Sequence, residues 1–225
     1  VTDRFNLIGG LRYSDEYKSY THHRRNPDGS PIGSQGPTFP GAPDLINIRL
    51  TGVDGLTAVF EDERVDWRVA ADFSVTDEMM VYGSVSTGYK GGGVNPRPFF
   101  PQQLKTFDSE TLTAYELGLK STFLDNTLQT NAAVFFNDYK DIQLVLSQCE
   151  VPPFIDPDGI AGPCLKPANV GDADIKGLEL EAMWYPTDGL MLDASASWLD
   201  FEYTYVDPVA LVGSSIDPLD MISPY

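Results

Sequence analysis

Apolar and polar residues alternate with period two along most of this chain. The segment 65–73 is the cleanest case: Val65, Trp67, Val69, Ala71 and Phe73 fall on one face, and Asp66, Arg68, Ala70 and Asp72 on the other. Successive side chains of a strand point to opposite faces, so this pattern makes one face dry and the other wet. The split recurs over 4–18 (Phe5, Leu7, Leu11 and Tyr13 against Asn6, Arg12 and Ser14) and 79–90 (Val81, Gly83, Val85, Thr87 and Tyr89 against Tyr82, Ser84, Ser86 and Lys90). It returns over 113–123, 128–139, 178–184 and 192–198. About seven strands in adjacent antiparallel hairpins are predicted, each holding roughly 9–11 residues or more, with the one over 128–139 the longest. No stretch sustains a helical period, which argues against parallel α/β architectures.

The connections are of two kinds. Thr76-Asp77-Glu78, Leu124-Asp125-Asn126 and Pro186-Thr187-Asp188-Gly189 are tight turns, whereas 19–56, 91–109, 147–172 and the chain from 207 onward are long and rich in Pro and Gly. The two kinds alternate, so one end of the sheet is tight and the other elaborate. Outer-membrane barrels, with short periplasmic turns and long extracellular loops, have this sidedness. A soluble sandwich shares the alternation of faces but need not segregate its turns. The apolar faces are also rich in small residues (Gly9, Ala71, Gly83, Ala132, Ala182, Ala194, Ala196), where an interdigitating core wants volume. Tyr13, Tyr89, Phe123, Trp184, Tyr185 and Trp198 end several apolar faces, either as an interfacial girdle or because aromatics suit strands.

Composition narrows the choice. Hydrophobic residues make up 42% and aromatics 12% of 225 residues, which opposes disorder. No run approaches the ~18 apolar residues of a spanning helix, yet a barrel strand needs only one apolar face. The formal charge of −18 opposes nucleic-acid binding, which requires cations against phosphate. The same acidity serves a solvated surface, or a field that draws in cationic ligands. Cys149 and Cys164 stand in one long loop and suggest a local disulfide in an oxidising compartment, with two unpaired thiols as the alternative. The chain begins at Val1 without a signal peptide, so the expectation is a start inside a longer protein.

Five segments resemble the barrel of TonB-dependent outer-membrane receptors: 10–16 (GLRYSDE), 80–92 (MVYGSVSTGYKGG), 110–120 (ETLTAYELGLK), 131–143 (NAAVFFNDYKDIQ) and 169–181 (NVGDADIKGLELE). Their order covers nearly all the strand-forming chain. The resemblance implies an all-β fold, an antiparallel up-and-down transmembrane barrel of 22 strands. Residues 1–225 would be its central part, with no plug domain, TonB box or C-terminal strand recognised among them. It further implies the Gram-negative outer membrane as location and outer-membrane lipid as a partner. A TonB complex would act through an N-terminal plug region, and the cargo would be a scarce ligand, most often a ferric siderophore. Haem, cobalamin and oligosaccharides use the same scaffold. A passive porin-like channel and a secreted β-domain for adhesion or carbohydrate binding are the rival readings. An isolated piece of such a wall would expose two unpaired edges, and so is not expected to be stably soluble.

Nothing in the sequence reads as catalytic: G-x-S-x-G, H-E-x-x-H and P-loop motifs are absent, and no metal centre or cofactor is expected. Candidate ligand contacts lie in the long loops. His22, His23, Arg24 and Arg25 combine metal-ligating and anion-pairing groups, although a solvated loop cluster is the preferred reading. Arg97 with Phe99 and Phe100 has the makings of a cationic and aromatic platform, or of a turn-rich loop with packed aromatics. Asn26-Pro27-Asp28-Gly29 and Asp156-Pro157-Asp158-Gly159 are turn signatures first. Glu179 and Glu181 read as a wet wall paired with cations such as Lys120 or Lys176.

Overall fold

The computed structural model describes residues 3–23, 25, 28–30, 54–98, 103–149, 162–208 and 210, with the side chains of 147–149 and 162–165 excluded. Eleven strands follow in chain order: β1 Phe5–Thr21, β2 Thr57–Ser74, β3 Met79–Lys90, β4 Gly93–Val94, β5 Thr106–Phe107, β6 Glu110–Phe123, β7 Leu128–Lys140, β8 Gln143–Cys149, β9 Gly162–Asn169, β10 Gly171–Thr187 and β11 Leu190–Val206. Seven of them form one antiparallel sheet in the order β1-β2-β3-β6-β7-β10-β11. Short hairpins β4-β5 and β8-β9 interrupt this meander at its long-loop end.

The sheet agrees with the predicted strands and extends them. β1, β2, β10 and β11 continue several residues toward the long loops, and β2, with 18 residues, is longer than the 13-residue β7. Part of the supposed loop between 147 and 172 is the ordered hairpin β8-β9. At the tight end, Leu124, Asp125 and Asn126 all adopt positive φ (56°, 54° and 65°), and Thr127 bonds back to the Leu124 carbonyl. Asn and Asp tolerate this left-handed region better than other residues with side chains, which suits them to so sharp a reversal.

The cross-strand register sorts the side chains into rungs. One rung runs Leu7, Ala71, Gly83, Leu117, Val134, Leu178, Trp198 across all seven strands. The neighbouring rung on that face is Phe5, Phe73, Val81, Leu119, Ala132, Leu180, Ala196. Neither contains a polar residue, and most of their large members are exposed, Leu117 at 60% and Trp198 at 59%. Toward the long loops the face changes character. A Lys176–Asp200 ion pair (3.1 Å) closes the next rung, and the one beyond reads Thr87, Thr113, Asp138, Asp174, Glu202. The opposite face is polar, with Asn6, Asp72, Tyr82, Gly118, Ala133, Glu179 and Ser197 along one rung.

On that polar face Tyr82 donates to Glu116 at 2.6 Å, and Asn131 donates to Glu181 at 3.1 Å. Glu181 is therefore partnered by an amide and not by Lys176, which pairs with Asp200 on the apolar side. Lys120 lies 5.6 Å from the Tyr82 ring. Two of the expected girdle aromatics are also elsewhere. Tyr185 stands one residue beyond Trp184 and bonds the Met183 sulfur at 3.0 Å, which puts it on the polar face. Tyr89 donates to Glu16 at 2.9 Å. Alternation fails there because the β2–β3 ladder stops at Arg68 and Ser86, and the Thr87 hydroxyl accepts the next N–H, that of Trp67.

The apolar rungs carry a direct test. In the full-length protein folded into lipid, Leu117→Arg should cost roughly 2–4 kcal/mol, as for a cation forced to mid-bilayer depth. Thr113→Arg lies on the same face, beside Asp138 and outside the apolar band, and should cost less than about 1 kcal/mol. Equal costs in denaturant titrations would show that the two rungs do not face hydrocarbon.

Candidate functional site

The elaborate end of the sheet is built by segments that fold back over the polar face. On β1 the even-numbered residues share that face with Asn6 and Arg12, because its pairing with β2 runs without a bulge from Phe5 to Thr21. Lys18, one of them, donates to the Gly92 carbonyl at 2.8 Å, and Tyr20 donates to the Pro96 carbonyl at 3.1 Å. The segment 91–98 therefore lies inward against the top of β1. Its approach is close: a Cβ on Gly92 would collide with the Phe60 ring and the Phe107 carbonyl, so only glycine fits. From β2, Asp62 accepts a 2.5 Å hydrogen bond from Ser109, whose oxygen in turn accepts the Gly92 N–H. Lys18 and Tyr89 both bond Glu16 and hold its carboxyl below the usual carboxylate range.

Inside this lobe Asn95 is almost fully buried. Its side-chain N–H bonds the Gln103 carbonyl at 2.8 Å, and its side-chain oxygen accepts from the Arg97 N–H at 3.0 Å. Its backbone N–H bonds the Lys105 carbonyl, so one amide side chain closes the lobe on itself. The second hairpin is turned the same way. Leu146, Ala168, Val170 and Val206 form a buried cluster, with Leu144 and Tyr203 packed against it. Tyr203 pairs with Ala173, whose alternation with Gly177 and Glu179 puts it on the polar face. β8-β9 thus covers the inner side of the upper β10-β11 wall.

Two amide side chains join the lobes. Gln143 and Asn169 are cross-strand partners at the base of β8-β9. Gln143 Nε2 lies 3.2, 3.2 and 3.0 Å from the carbonyls of Lys90, Gly91 and Asp108. Asn169 Nδ2 reaches the carbonyls of Asp108 and Asp141 at 2.9 and 2.8 Å, and Asn169 Oδ1 accepts from the Asp108 N–H at 2.7 Å. Glu110 accepts the Gln143 N–H at 2.8 Å and pairs with Lys90 at 3.4 Å.

Among the described residues, the predicted ligand residues have separate partners. His22 is buried and continues the β1–β2 pairing, its N–H on the Leu56 carbonyl, with its ring 6.2 Å from that of Tyr20. His23 points to Asp54 (3.4 Å), and Arg25 reaches the Gly29 carbonyl at 3.3 Å. Asp28 accepts both the N–H and the hydroxyl of Ser30, which is the expected turn chemistry. Arg97 is exposed on the inward lobe. Arg24, Phe99 and Phe100 lie outside the described residues, as do the side chains of Cys149 and Cys164. Cys149 pairs with Gly162 in the hairpin ladder, and Cys164 follows two residues along β9. Sequence reading missed the Gln143–Asn169 clamp. Its only signal was two amides flanking a loop, and that does not distinguish a clamp from a solvated pair.

An antiparallel meander with an apolar outer band, a polar inner face and inward-folded loops at one end defines the wall of an outer-membrane β-barrel. The profile of the family described as "TonB dependent receptor-like, beta-barrel" matches residues 1–224, and the chain belongs to that family. It is 30% identical to the pesticin receptor of Yersinia pestis over 204 residues, 91% of this chain and 25% of that protein. The pesticin receptor of Yersinia enterocolitica is 31% identical over the same share. Among solved structures, the ferric yersiniabactin uptake receptor FyuA of Yersinia pestis superposes with a TM-score of 0.64 at 27% identity, again over 91% of this chain and 25% of that one. The copper transporter OprC follows at 0.58 and 19% identity, over 91% and 28%, a likeness of fold alone. The chain spans about a quarter of the length of the curated relatives it matches. Its location is the Gram-negative outer membrane, with the tight turns periplasmic and the lobes extracellular.

If the amide clamp holds the lobes together, Gln143→Ala with Asn169→Ala should loosen them without loosening the wall. Backbone amides of 91–98 and 143–146 in the full-length receptor should exchange about tenfold faster or more, while those of β6 and β7 keep their protection. Unchanged exchange in both lobes would assign their anchoring to other contacts.

Proposed function

We propose that this chain is part of a receptor that captures a ferric siderophore at the cell surface and passes it across the outer membrane with energy from TonB. The observation that carries the reading is its similarity, over 91% of its length, to a ferric yersiniabactin uptake receptor and to the pesticin receptors. The inward-folded lobes suit it. They narrow the mouth and bring loop residues over the polar lumen, where a captured ligand would rest before moving inward. The chain contributes wall and mouth to this process and no bond-making chemistry. The test is uptake of radiolabelled iron by iron-starved cells that express the full-length gene and lack other ferric-siderophore receptors. Ferric yersiniabactin and a ferric catecholate serve as probes, each with TonB present and deleted. Accumulation that disappears on TonB deletion is expected. Equal accumulation in both backgrounds would favour a passive channel, and none with either probe would remove the ferric-siderophore reading for these ligand types.

We also infer that Cys149 and Cys164 are joined, since they flank one connection of the chain in an oxidising compartment. Closing that loop would stabilise the lobe by roughly 3 kcal/mol in the chain-entropy estimate. Full-length protein alkylated without reduction should carry no label on either cysteine by mass spectrometry. Labelling of both would show free thiols.

A further inference from the structure

The apolar area of the outer face has slanted limits. On β1 it reaches Tyr13, three rungs above that of Leu7 and Leu117, before Asp15 interrupts it, and on β2 it reaches Val65 before Glu63. On β3, β6 and β7 it stops one rung up, at Val85, Tyr115 and Phe136, with Thr87, Thr113 and Asp138 next. On β10 and β11 it stops at Leu178 and Trp198, on the rung of Leu117 itself, and Lys176 and Asp200 follow. The lower limit slants in the same sense. It lies at Phe5 on β1, one rung down and next to Asp3, but three rungs down at Phe123, Leu128, Trp184 and Leu192 on β6, β7, β10 and β11. Ser121 and Thr130 fall inside these limits, and their hydroxyls bond each other at 3.2 Å.

Two limits that slant together enclose an oblique band. One rung is two residues, roughly 6.8 Å along a strand, and neighbouring strands stand roughly 4.8 Å apart. From β1 to β11, six strand spacings, the upper limit falls by three rungs and the lower by two. The band therefore crosses the rungs at roughly 25–35°. A band parallel to the rungs fits worse in either form. Holding all of these residues, from Tyr13 to Leu192, it would be six rungs deep, roughly 40 Å against a hydrocarbon core of about 30 Å. Restricted to the rungs that are apolar on every strand, it would leave Leu11, Tyr13, Val65 and Trp67 in water, with Leu11 79% exposed. The backbone agrees with the slant. Trp67 stands where the β2–β3 ladder has ended, and the Thr87 hydroxyl takes its N–H at 3.0 Å. An unpaired donor there would be costly only at hydrocarbon depth.

We infer that the outer leaflet meets this wall along a line oblique to the strand register, with acyl chains covering Leu11 and Trp67. Tyr13 and Val65 mark the upper limit of those chains. Asp138, Asp174 and Glu202, on the rung that Leu11 and Trp67 begin, stand among headgroups and water. One rung thus rises out of the bilayer between β1 and β11. Depth is set by where each strand changes from apolar to charged, since a charge moves toward water whatever its cross-strand partners do. The inference rests on the outer-membrane location and is independent of the cargo.

The test places nitroxide labels on single cysteines of the full-length receptor in bilayers, with Cys149→Ser and Cys164→Ser keeping the labelling specific. Collision with oxygen, which concentrates in hydrocarbon, is compared with collision with a water-soluble nickel chelate. Leu117→Cys and Thr57→Cys supply the hydrocarbon and water references. The label at Leu11→Cys should group with that at Leu117→Cys, its oxygen-to-nickel ratio severalfold above those at Asp138→Cys and Glu202→Cys. The latter two should group with Thr57→Cys. The inference is overturned if Leu11→Cys groups with the water reference, or if Glu202→Cys groups with the hydrocarbon one. A Leu11→Cys label shielded from both probes overturns it as well, because protein and not lipid would then cover that corner. Polarised infrared spectroscopy of the unsubstituted receptor in oriented bilayers adds an arm free of any substitution. Strands inclined by roughly 25–45° to the membrane normal are expected, and strands within about 10° of it would remove the slant.

Discussion

Everything in this molecule depends on keeping the backbone paired where no water can reach it. A strand lying against hydrocarbon leaves each N–H and C=O with one source of partners, the strands beside it, and an unmade bond there costs several kcal/mol. The antiparallel ladder runs through seven strands with few register shifts, and two wholly apolar rungs cross its full width. The small residues in those rungs, Ala71, Gly83, Ala132 and Ala196, are tolerable because nothing interdigitates with them. Lipid conforms to whatever surface it meets, whereas the facing sheet of a sandwich would need matching volume.

Once the ladder is complete, irregular backbone is confined to the end where water is available, and there a different bonding scheme takes over. The loop lobes are closed by side-chain amides. Asn95 holds one lobe to itself, and Gln143 with Asn169 ties the two together through carbonyls of Lys90, Gly91, Asp108 and Asp141. An amide presents two donors and a two-lone-pair acceptor on one short stem, so a single residue can satisfy several backbone groups that no neighbouring strand reaches. Ion pairs do the same only at the cost of desolvating both charges.

The sequence made the wall legible and the mouth only partly so, for a physical reason. Alternation is a local signal that repeats every two residues, and it located all seven strands of the main sheet, with β3 matching from Met79 to Lys90. It weakened near the strand ends, where polar residues occupy both faces above the lipid band. Hence β10 and β11 ran longer than expected and β8-β9 was read as loop. Tyr89 looked like a girdle residue by parity alone, but the pairing of β3 with β2 had already ended and its phenol found Glu16. His22 and His23 looked like a pair because they are adjacent in sequence. A strand sends adjacent side chains to opposite faces, so one became buried and the other reached Asp54. β5 lies against β9, some sixty residues further along the chain, and no local pattern announces such a contact.

The neutrality of the amide clamps bears on what the mouth can do. Had the lobes been tied down by salt bridges, each cation would have been spent on a carboxylate, and its field beyond a few ångströms would have cancelled. Amide-to-carbonyl anchors fasten the same backbone and leave no net charge behind. Charged side chains of the lobes include Arg97, Lys105 and Lys166, and acidic ones stand at Asp108, Glu110 and Asp207 and, on the β8–β9 connection, at Glu150, Asp156 and Asp158. At physiological ionic strength screening acts over roughly 8 Å, so these charges act on their immediate surroundings and little on bulk solution.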